Sequence, residues 1–286
     1  MPKAIKTMEA ARQLYNSFHS KILSIYPDPE AQQLVFWLFE HFLGISRADI
    51  IRNKEISEVP EALFLALKDL ESGKPIQYIL GLAPFYGREF KVSPEVLIPR
   101  NETEELVYLI IRENQQPNLK ILDIGTGSGC IPISLYLEMR QPEIHALDIS
   151  TEALDIAKTN ASQLQAKINF HKTDILKEEI PLGELDILVS NPPYVRMLEK
   201  ALMRSNVLDH EPDLALFVTD DDPLIFYRAI AQKGLKSLKP GGRLYFEINE
   251  ALGKEMIDLL KNLGYRNISL HKDLMDKDRM ISASRA

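Results

Sequence analysis

The chain has 286 residues, of which 45% are hydrophobic and 26% are charged, which is typical of a globular protein with one large domain or two smaller ones. Its net charge of -7 argues against a broad basic surface for nucleic acid, although a local basic patch stays possible. The single cysteine, Cys130, excludes an intramolecular disulfide and indicates a cytoplasmic location, and no segment approaches the ~20 apolar residues that span a bilayer.

Residues 1–80 are predicted to form a small helical bundle. From Glu30 to Leu43 the apolar side chains recur at helical spacing, and Gly44 follows as a stop signal. The segment 61–70 repeats this pattern, and no strand-like alternation interrupts the two. We expect Trp37 to belong to the core of this bundle.

Residues 81–100 are predicted to form a β-hairpin linker. Glycines and prolines separate short apolar and aromatic pieces in this segment, which is typical of strands joined by turns. The turn is expected near Gly87-Arg88.

Strands and helices alternate in residues 101–286, which predicts an α/β domain with a parallel sheet covered on both faces. Strands are expected at 120–123, 144–148, 168–171, 187–190 and 243–248, and the apolar pieces 267–271 and 280–284 would complete a sheet of seven. Helices are expected at 104–113, 131–139, 151–164, 224–238 and 254–263. Ligands of such sheets bind beyond the carboxyl ends of the strands, so the residues that follow each strand are candidate site residues.

The first strand leads into a glycine-rich loop, Gly125-Thr126-Gly127-Ser128-Gly129. Its glycines let the backbone approach a ligand closely and adopt positive φ angles. The spacing differs from that of dinucleotide sites and P-loops, and no lysine follows to meet phosphates. The acidic Asp123 before the loop suits a ligand with positive groups, such as the ammonium and sulfonium of S-adenosylmethionine, whereas a purely structural turn is the alternative.

Acidic residues follow the next two strands. Asp148 ends the second strand, 19 residues after Gly129, where it could bind two ribose hydroxyls or serve as an N-terminal helix charge beside a capping Ser150. Asp174 follows the third strand and could accept from an adenine amino group while Ile175 packs on the ring. Alone, a residue such as Asp174 is more often part of a loop turn than a ligand contact, but its order after the glycine loop and Asp148 favours a ligand contact.

The fourth strand ends at Asn191-Pro192-Pro193-Tyr194, where the prolines force the chain out of the sheet as a stiff, extended segment. Prolines lack N–H donors and leave their carbonyls free to accept, while Asn191 adds an amide oxygen and Tyr194 a flat aromatic face. Such a site can accept both protons of a planar –NH2 group while a ring stacks on it. A proline-rich loop that only ends the strand is the alternative.

Taken together, these motifs resemble those of class I S-adenosylmethionine-dependent methyltransferases that act on planar nitrogens. The segments Leu97–Glu104 and Glu211–Phe217, the helical N-terminal domain and the hairpin linker are similar to those of the release-factor glutamine methyltransferases. The similarity spans nearly the whole chain. It departs at Asn101, where that family usually has proline, and after Glu247, where the glycine- and glutamine-rich pattern is missing.

The resemblance implies a Rossmann-like, seven-stranded methyltransferase domain at 101–286 and S-adenosyl-L-methionine as cofactor, with S-adenosyl-L-homocysteine as product. It implies methylation of N5 of the glutamine in the Gly-Gly-Gln motif of peptide-chain release factors, with the domain 1–80 recognising the release factor. Direct contact with nucleic acid, a membrane or a metal is not expected.

The site residues follow from the same resemblance. Asn191 and the Pro192 carbonyl would accept the two N–H bonds of the glutamine amide, which would fix the nitrogen and raise its electron density, while Pro193 and Tyr194 complete the substrate contact. Arg100 is either a surface charge or an anchor for a carboxylate. The cofactor would be bound by Gly125, Thr126, Gly127, Ser128, Gly129, Asp148, Asp174, Ile175 and Asn191, with support from Glu102, Thr103 and Asp123.

Two other functions stay open at this point. An adenine-N6 methyltransferase acting on DNA or RNA could use the same tetrapeptide, because the amino group of adenine is also planar. Such an enzyme should carry a basic target-recognition region, which the acidic composition disfavours. A non-catalytic binding module would keep the fold without turnover, and the intact glycine loop and tetrapeptide argue against it.

Overall fold

The structure is a computed structural model that describes residues 4–5, 9–203 and 205–286. The chain divides into two compact units, one of Met1–Gly81 with Arg204–His210 and one of Leu82–Met203 with Glu211–Ala286. Within the predicted helical bundle 1–80, residues 1–3 and 6–8 lie outside the described part. None of the described helices combines the length and the apolar character needed to cross a membrane.

The described elements are numbered in chain order. The helices are α1 (Ala11–Ile22), α2 (Asp28–Leu43), α3 (Arg47–Ile51), α4 (Glu61–Glu71), α5 (Ile76–Leu80), α6 (Asn101–Glu113), α7 (Cys130–Glu138), α8 (Thr151–Gln163), α9 (Ser205–Leu208), α10 (Asp213–Leu216), α11 (Ile225–Ser237) and α12 (Gly253–Leu263). The strands are β1 (Ala4–Ile5), β2 (Glu9–Ala10), β3 (Glu55–Ile56), β4 (Val59–Pro60), β5 (Leu82–Phe85), β6 (Arg88–Lys91), β7 (Lys120–Ile124), β8 (Glu143–Asp148), β9 (Ile168–Lys172), β10 (Leu185–Ser190), β11 (Val195–Arg196), β12 (Phe217–Val218), β13 (Leu238–Glu247), β14 (Arg266–Lys272) and β15 (Asp278–Ser284).

The first unit is mainly helical, and its longest helix, α2, ends where the sequence predicts. Gly44 adopts a left-handed φ of 61° directly after Leu43, a conformation that glycine takes without steric cost. Trp37, predicted to lie in the core, is partly buried and packs against the hydrophobic cluster of this unit. The unit also contains two antiparallel pairs of two-residue strands, β1 with β4 and β2 with β3, which are too short to show a detectable alternation.

The second unit contains a seven-stranded sheet with the order β14-β15-β13-β10-β7-β8-β9. Neighbouring strands from β13 to β9 are parallel, whereas β15 is antiparallel to both of its neighbours. This confirms the predicted Rossmann-like α/β class. β7, the first strand of the sheet along the chain, lies between β8 and β10. Later strands are therefore added on both sides of β7, and the strand order changes direction there. Ligands of open α/β sheets bind at such a point.

A hairpin of β5 and β6 opens the second unit. Its turn is formed by Tyr86 and Gly87, both with positive φ (49° and 72°), one residue earlier than predicted. The common two-residue hairpin turn has positive φ at both central positions, and here these positions are Tyr86 and then Gly87.

The buried side chain of Asn160, on α8, fastens this hairpin to the glycine-rich loop. Its Oδ1 accepts from the Lys91 N–H (2.7 Å), and its Nδ2 donates to the carbonyls of Lys91 (3.0 Å) and Ser128 (2.9 Å). One side chain therefore satisfies three backbone groups from two segments that are about 37 residues apart in the sequence.

We expect Asn160→Leu to lower the free energy of unfolding by about 3 kcal/mol, because it leaves three backbone groups without partners. Urea denaturation of the ligand-free protein measures this effect. Lys158→Ala, an exposed change on the same helix, should shift stability by less than about 0.5 kcal/mol. Equal stabilities of Asn160→Leu and Lys158→Ala would show that Asn160 does not fasten the two segments.

Candidate active site

A cavity of about 500 Å³ lies in the second unit at the carboxyl ends of the parallel strands. The segments that follow four successive strands contribute to its lining, as expected for the point where the chain reverses direction. These segments are Gly125–Ser128 after β7, Asp148–Ser150 at the end of β8, Thr173–Lys177 after β9 and Asn191–Pro193 after β10.

The glycine-rich loop forms one wall of the cavity. Gly125 and Gly127 line it with φ angles of 74° and 54°, so that backbone rather than side chains faces the space. Gly129 does not line the cavity. A Cβ there would lie 3.1 Å from the Ala157 Cβ and from the Ile133 Cδ1, so the third glycine allows close packing against α8.

Asp148 connects the glycine loop to the end of β8. Its carboxylate accepts from the backbone N–H of Gly127 (2.9 Å) and of Ser150 (3.0 Å), and burial raises its pKa. Ser150 caps α8, since its hydroxyl accepts from the Ala153 N–H (3.0 Å). Ser150 therefore caps the helix, while Asp148 lines the cavity.

Asp174 and Ile175 lie together on the cavity wall after β9. The Asp174 carboxylate pairs with the exposed Lys177 (3.0 Å), which lowers its pKa, and also accepts from the Leu176 N–H (3.0 Å). Ile175 is 8% exposed and gives this wall an apolar surface.

Asp123, which precedes the glycine loop, is fully buried. Neither of its carboxylate oxygens has a hydrogen-bond partner of normal geometry among the described residues, and the same holds for the buried hydroxyls of Thr126 and Ser128. Burial raises the pKa of Asp123 to about 7, an effect that the Thr126 hydroxyl opposes and the Asp148 charge reinforces. Buried polar groups without partners are rare in proteins, and of these three residues Thr126 and Ser128 line the cavity, whereas Asp123 is not among its lining residues.

The tetrapeptide after β10 lies between two cavities that share residues. Asn191 and Pro192 line the large cavity, and with Tyr194 they also line a small cavity of about 40 Å³. Pro193 lines the large cavity only. The structure therefore brings the tetrapeptide together with the glycine loop, Asp148 and Asp174, as the sequence predicts.

A buried carboxylate that the sequence analysis did not select as a site residue lies behind the tetrapeptide. Glu247 is 1% exposed and accepts from the Tyr194 hydroxyl (3.0 Å) and the Thr103 hydroxyl (2.6 Å), and Thr103 in turn accepts from Asn191 Nδ2 (3.2 Å). Burial raises the pKa of Glu247 and holds that of Tyr194 well above its ordinary value. An acid at the end of the apolar run 244–248 is the sequence signal that could have revealed it.

The other supporting residues occupy different places. Arg100 lines both cavities, and its guanidinium donates to the buried carboxylate of Glu211 (2.6 Å), so it anchors a carboxylate of the protein itself. Thr103 lines the large cavity, whereas Glu102 is not among its lining residues. The segment 211–217 also reaches the site, because Pro212 and Leu214 line the large cavity.

The sheet order and the glycine loop define a methyltransferase fold. The structure is similar to a methyltransferase from Pyrococcus furiosus, with a TM-score of 0.53 at 15% identity over 71% of this chain and 91% of that one. Residues 105–210 match the family described as the methyltransferase small domain, and residues 20–81 match the PrmC N-terminal domain.

Curated relatives narrow this class to one family. A release factor glutamine methyltransferase from Bacteroides thetaiotaomicron is 46% identical over 91% of this chain and 95% of its own length. Another from Flavobacterium psychrophilum is 44% identical over 93% of this chain and 96% of its own length. The chain belongs to the family of release factor glutamine methyltransferases and is a methyltransferase.

Asp123→Asn should stabilise the ligand-free protein at alkaline pH. The pKa of Asp123 is about 7 when folded, against about 4 in an unfolded chain, so the folded state binds more protons between these values. Its contribution to stability is therefore present below pH 4 and is lost as the pH rises to about 7. We expect a gain on the order of 2 to 4 kcal/mol for the variant at pH 8 and none near pH 4.

Urea denaturation between pH 4 and pH 8 measures this difference. The matched control is Asp155→Asn, which changes an exposed acid on α8 and should follow the wild-type pH dependence. Parallel stability curves for Asp123→Asn and wild type would contradict the assignment of Asp123 as a buried acid with a raised pKa.

Proposed function

We propose that the chain transfers the methyl group of S-adenosyl-L-methionine to the side-chain amide nitrogen of the glutamine in the Gly-Gly-Gln motif of peptide-chain release factors. The observation that carries this proposal is that Asn191 and Pro192 line both the large cavity and the small one. Relatives that match more than nine-tenths of the chain are named for glutamine methylation of release factors, which favours this reaction over adenine-N6 methylation.

The large cavity fits the cofactor in size and in chemistry. Its volume of about 500 Å³ is within the range of small-molecule sites. Asp123, which precedes the glycine loop without lining the cavity, suits the cationic methionine end by its negative charge, Asp148 suits the ribose, and Asp174 with Ile175 suits the adenine. When bound, the cofactor supplies an electrophilic methyl group on a sulfonium.

The tetrapeptide would position the nucleophile. An amide nitrogen is a poor nucleophile because its lone pair is delocalised into the carbonyl group. Asn191 Oδ1 and the Pro192 carbonyl accept its two N–H bonds, hold it in line with the methyl group and raise its electron density. Tyr194 holds the plane of the amide by stacking. The N–C bond forms as the C–S bond breaks, and the nitrogen then loses its proton to an acceptor or to water.

The partner assignments extend this proposal to the whole chain. The helical residues 1–80 would recognise the release factor, while the hairpin linker 81–100 precedes the methyltransferase domain 101–286. We propose a cytoplasmic location on the basis of the single cysteine, and we expect no direct contact with nucleic acid because of the net charge of -7.

Asn191→Ala should lower the methylation rate by at least about 100-fold, because it removes one of the two acceptors for the amide protons. Cofactor affinity should stay within about fivefold of wild type, since most of the cofactor wall is unchanged. Single-turnover kinetics and calorimetric titration with S-adenosyl-L-homocysteine measure the two effects. A near-normal rate for Asn191→Ala would remove this residue from the reaction.

The reaction itself is tested with labelled cofactor and three substrates: a release factor, the same factor with its Gly-Gly-Gln glutamine replaced by glutamate, and a DNA or RNA oligonucleotide rich in adenine. We expect one methyl group on the intact factor alone, and mass spectrometry of its peptides locates it. A methyl group on the glutamate variant or on the oligonucleotide would reject the proposed substrate.

A further inference from the structure

We propose that Thr103 and Glu247 are positioning residues that determine which end of the Asn191 side-chain amide faces the substrate. The three side chains form a continuous line of hydrogen bonds, in which Asn191 Nδ2 donates to Thr103 Oγ1 (3.2 Å) and Thr103 Oγ1 donates to Glu247 Oε2 (2.6 Å). This inference rests on the proposed function, because the orientation of the amide matters for catalysis only if Asn191 accepts a proton of the substrate.

An asparagine side chain can present either of its two ends at almost the same volume. The oxygen end accepts hydrogen bonds, whereas the nitrogen end only donates. A flipped Asn191 would direct its own N–H groups at the N–H groups of a glutamine amide. The two sets of donors would then repel each other, and no hydrogen bond would form. A site that must hold a substrate –NH2 group therefore needs a device that fixes this orientation.

The chemistry of the chain of bonds supplies that device. When Glu247 is ionised, its carboxylate has no proton to donate, so the single hydroxyl proton of Thr103 must point toward Glu247. The distance of 2.6 Å between these oxygens is typical of an O–H group bound to a charged oxygen. Thr103 can then only accept from Asn191, which must offer Nδ2.

The opposite end of the amide is left for a ligand. Among the described residues, no donor bonds to Asn191 Oδ1, and Asn191 lines both cavities. The two hydrogen bonds among Glu247, Thr103 and Asn191 thus have a fixed donor direction, which leaves Asn191 Oδ1 as an acceptor that borders the site.

The surroundings of Glu247 act on the pKa of its carboxyl in both directions. Burial raises its pKa, and the charge of Glu102 adds to this, but the hydroxyls of Thr103 and Tyr194 and the positive charge of Arg279 oppose the rise. The Tyr194 hydroxyl occupies the second carboxylate oxygen (3.0 Å). One carboxylate therefore orients the first and the last residue of the tetrapeptide.

The test uses isosteric variants of the full-length protein. Thr103→Val removes the hydroxyl at constant shape, Thr103→Ser keeps the hydroxyl, and Glu247→Gln replaces the acceptor by a group that can also donate. We expect Thr103→Val and Glu247→Gln to lower kcat on the release factor by about 10- to 100-fold at unchanged cofactor affinity, because a misoriented acceptor raises the barrier to transfer. Thr103→Ser should restore most of the rate.

A background variant separates orientation from a general structural effect. If Thr103 acts through Asn191, Thr103→Val should cause no further loss of kcat in an Asn191→Ala protein. A loss of equal size in both backgrounds, or a kcat for Thr103→Val within threefold of wild type, would overturn the proposal.

A second measurement does not depend on activity. In a proton–nitrogen correlation spectrum, the Asn191 side-chain amide, identified by its absence in Asn191→Ala, should show one Nδ2 proton that is shifted and protected from exchange. We expect Thr103→Val to abolish this protection and Thr103→Ser to keep it. Identical Asn191 signals in wild type and Thr103→Val would overturn the positioning role, whereas a wild-type protein that shows the protection but does not methylate release factor would reject the proposed function alone.

Discussion

The parallel pairing of β7 with β10 is the constraint on which the site depends. In their register Ile124 lies opposite Ser190, and the Ser190 hydroxyl donates to the Ile124 carbonyl (2.6 Å). The glycine loop and the tetrapeptide, which follow these residues directly, must therefore emerge side by side. Because the next strand along the chain after β7 lies on its other side, the sheet leaves a crevice at this point, and the large cavity occupies it.

Buried polar groups determine the chemistry of the crevice. They fall into two sets, which differ in whether the groups have hydrogen-bond partners. Thr126 and Ser128 line the large cavity, and their hydroxyls lack partners of normal geometry among the described residues. Each carboxylate oxygen of Glu247 accepts a hydrogen bond from a hydroxyl group, which holds the carboxylate and its two partners in a fixed orientation. The support behind the tetrapeptide is therefore complete in its hydrogen bonds.

Sequence patterns were sufficient for the elements and motifs whose signal is local. The strand that precedes the glycine loop, the stop at Gly44 and the cap at Ser150 each depend on residues within a few positions of one another, and the structure has all three. The hairpin turn was misplaced by one residue, because Tyr86 adopts a positive φ that its residue type does not suggest. Family membership was also accessible, since it depends on ordered motifs along the chain.

The amino-acid sequence was enough to predict the α/β class, the order of the motifs and the residue types that the reaction needs. The contacts that hold those residues in place depend on the three-dimensional fold. Thr103, Asn191 and Glu247 are separated by 88 and 56 positions along the chain, and Asn160 reaches across 69 positions to Lys91. No periodicity or spacing connects such residues, because their proximity is produced by strand pairing and helix packing. Local sequence motifs thus supply the reactive residue types, and the fold sets the orientation of their side chains.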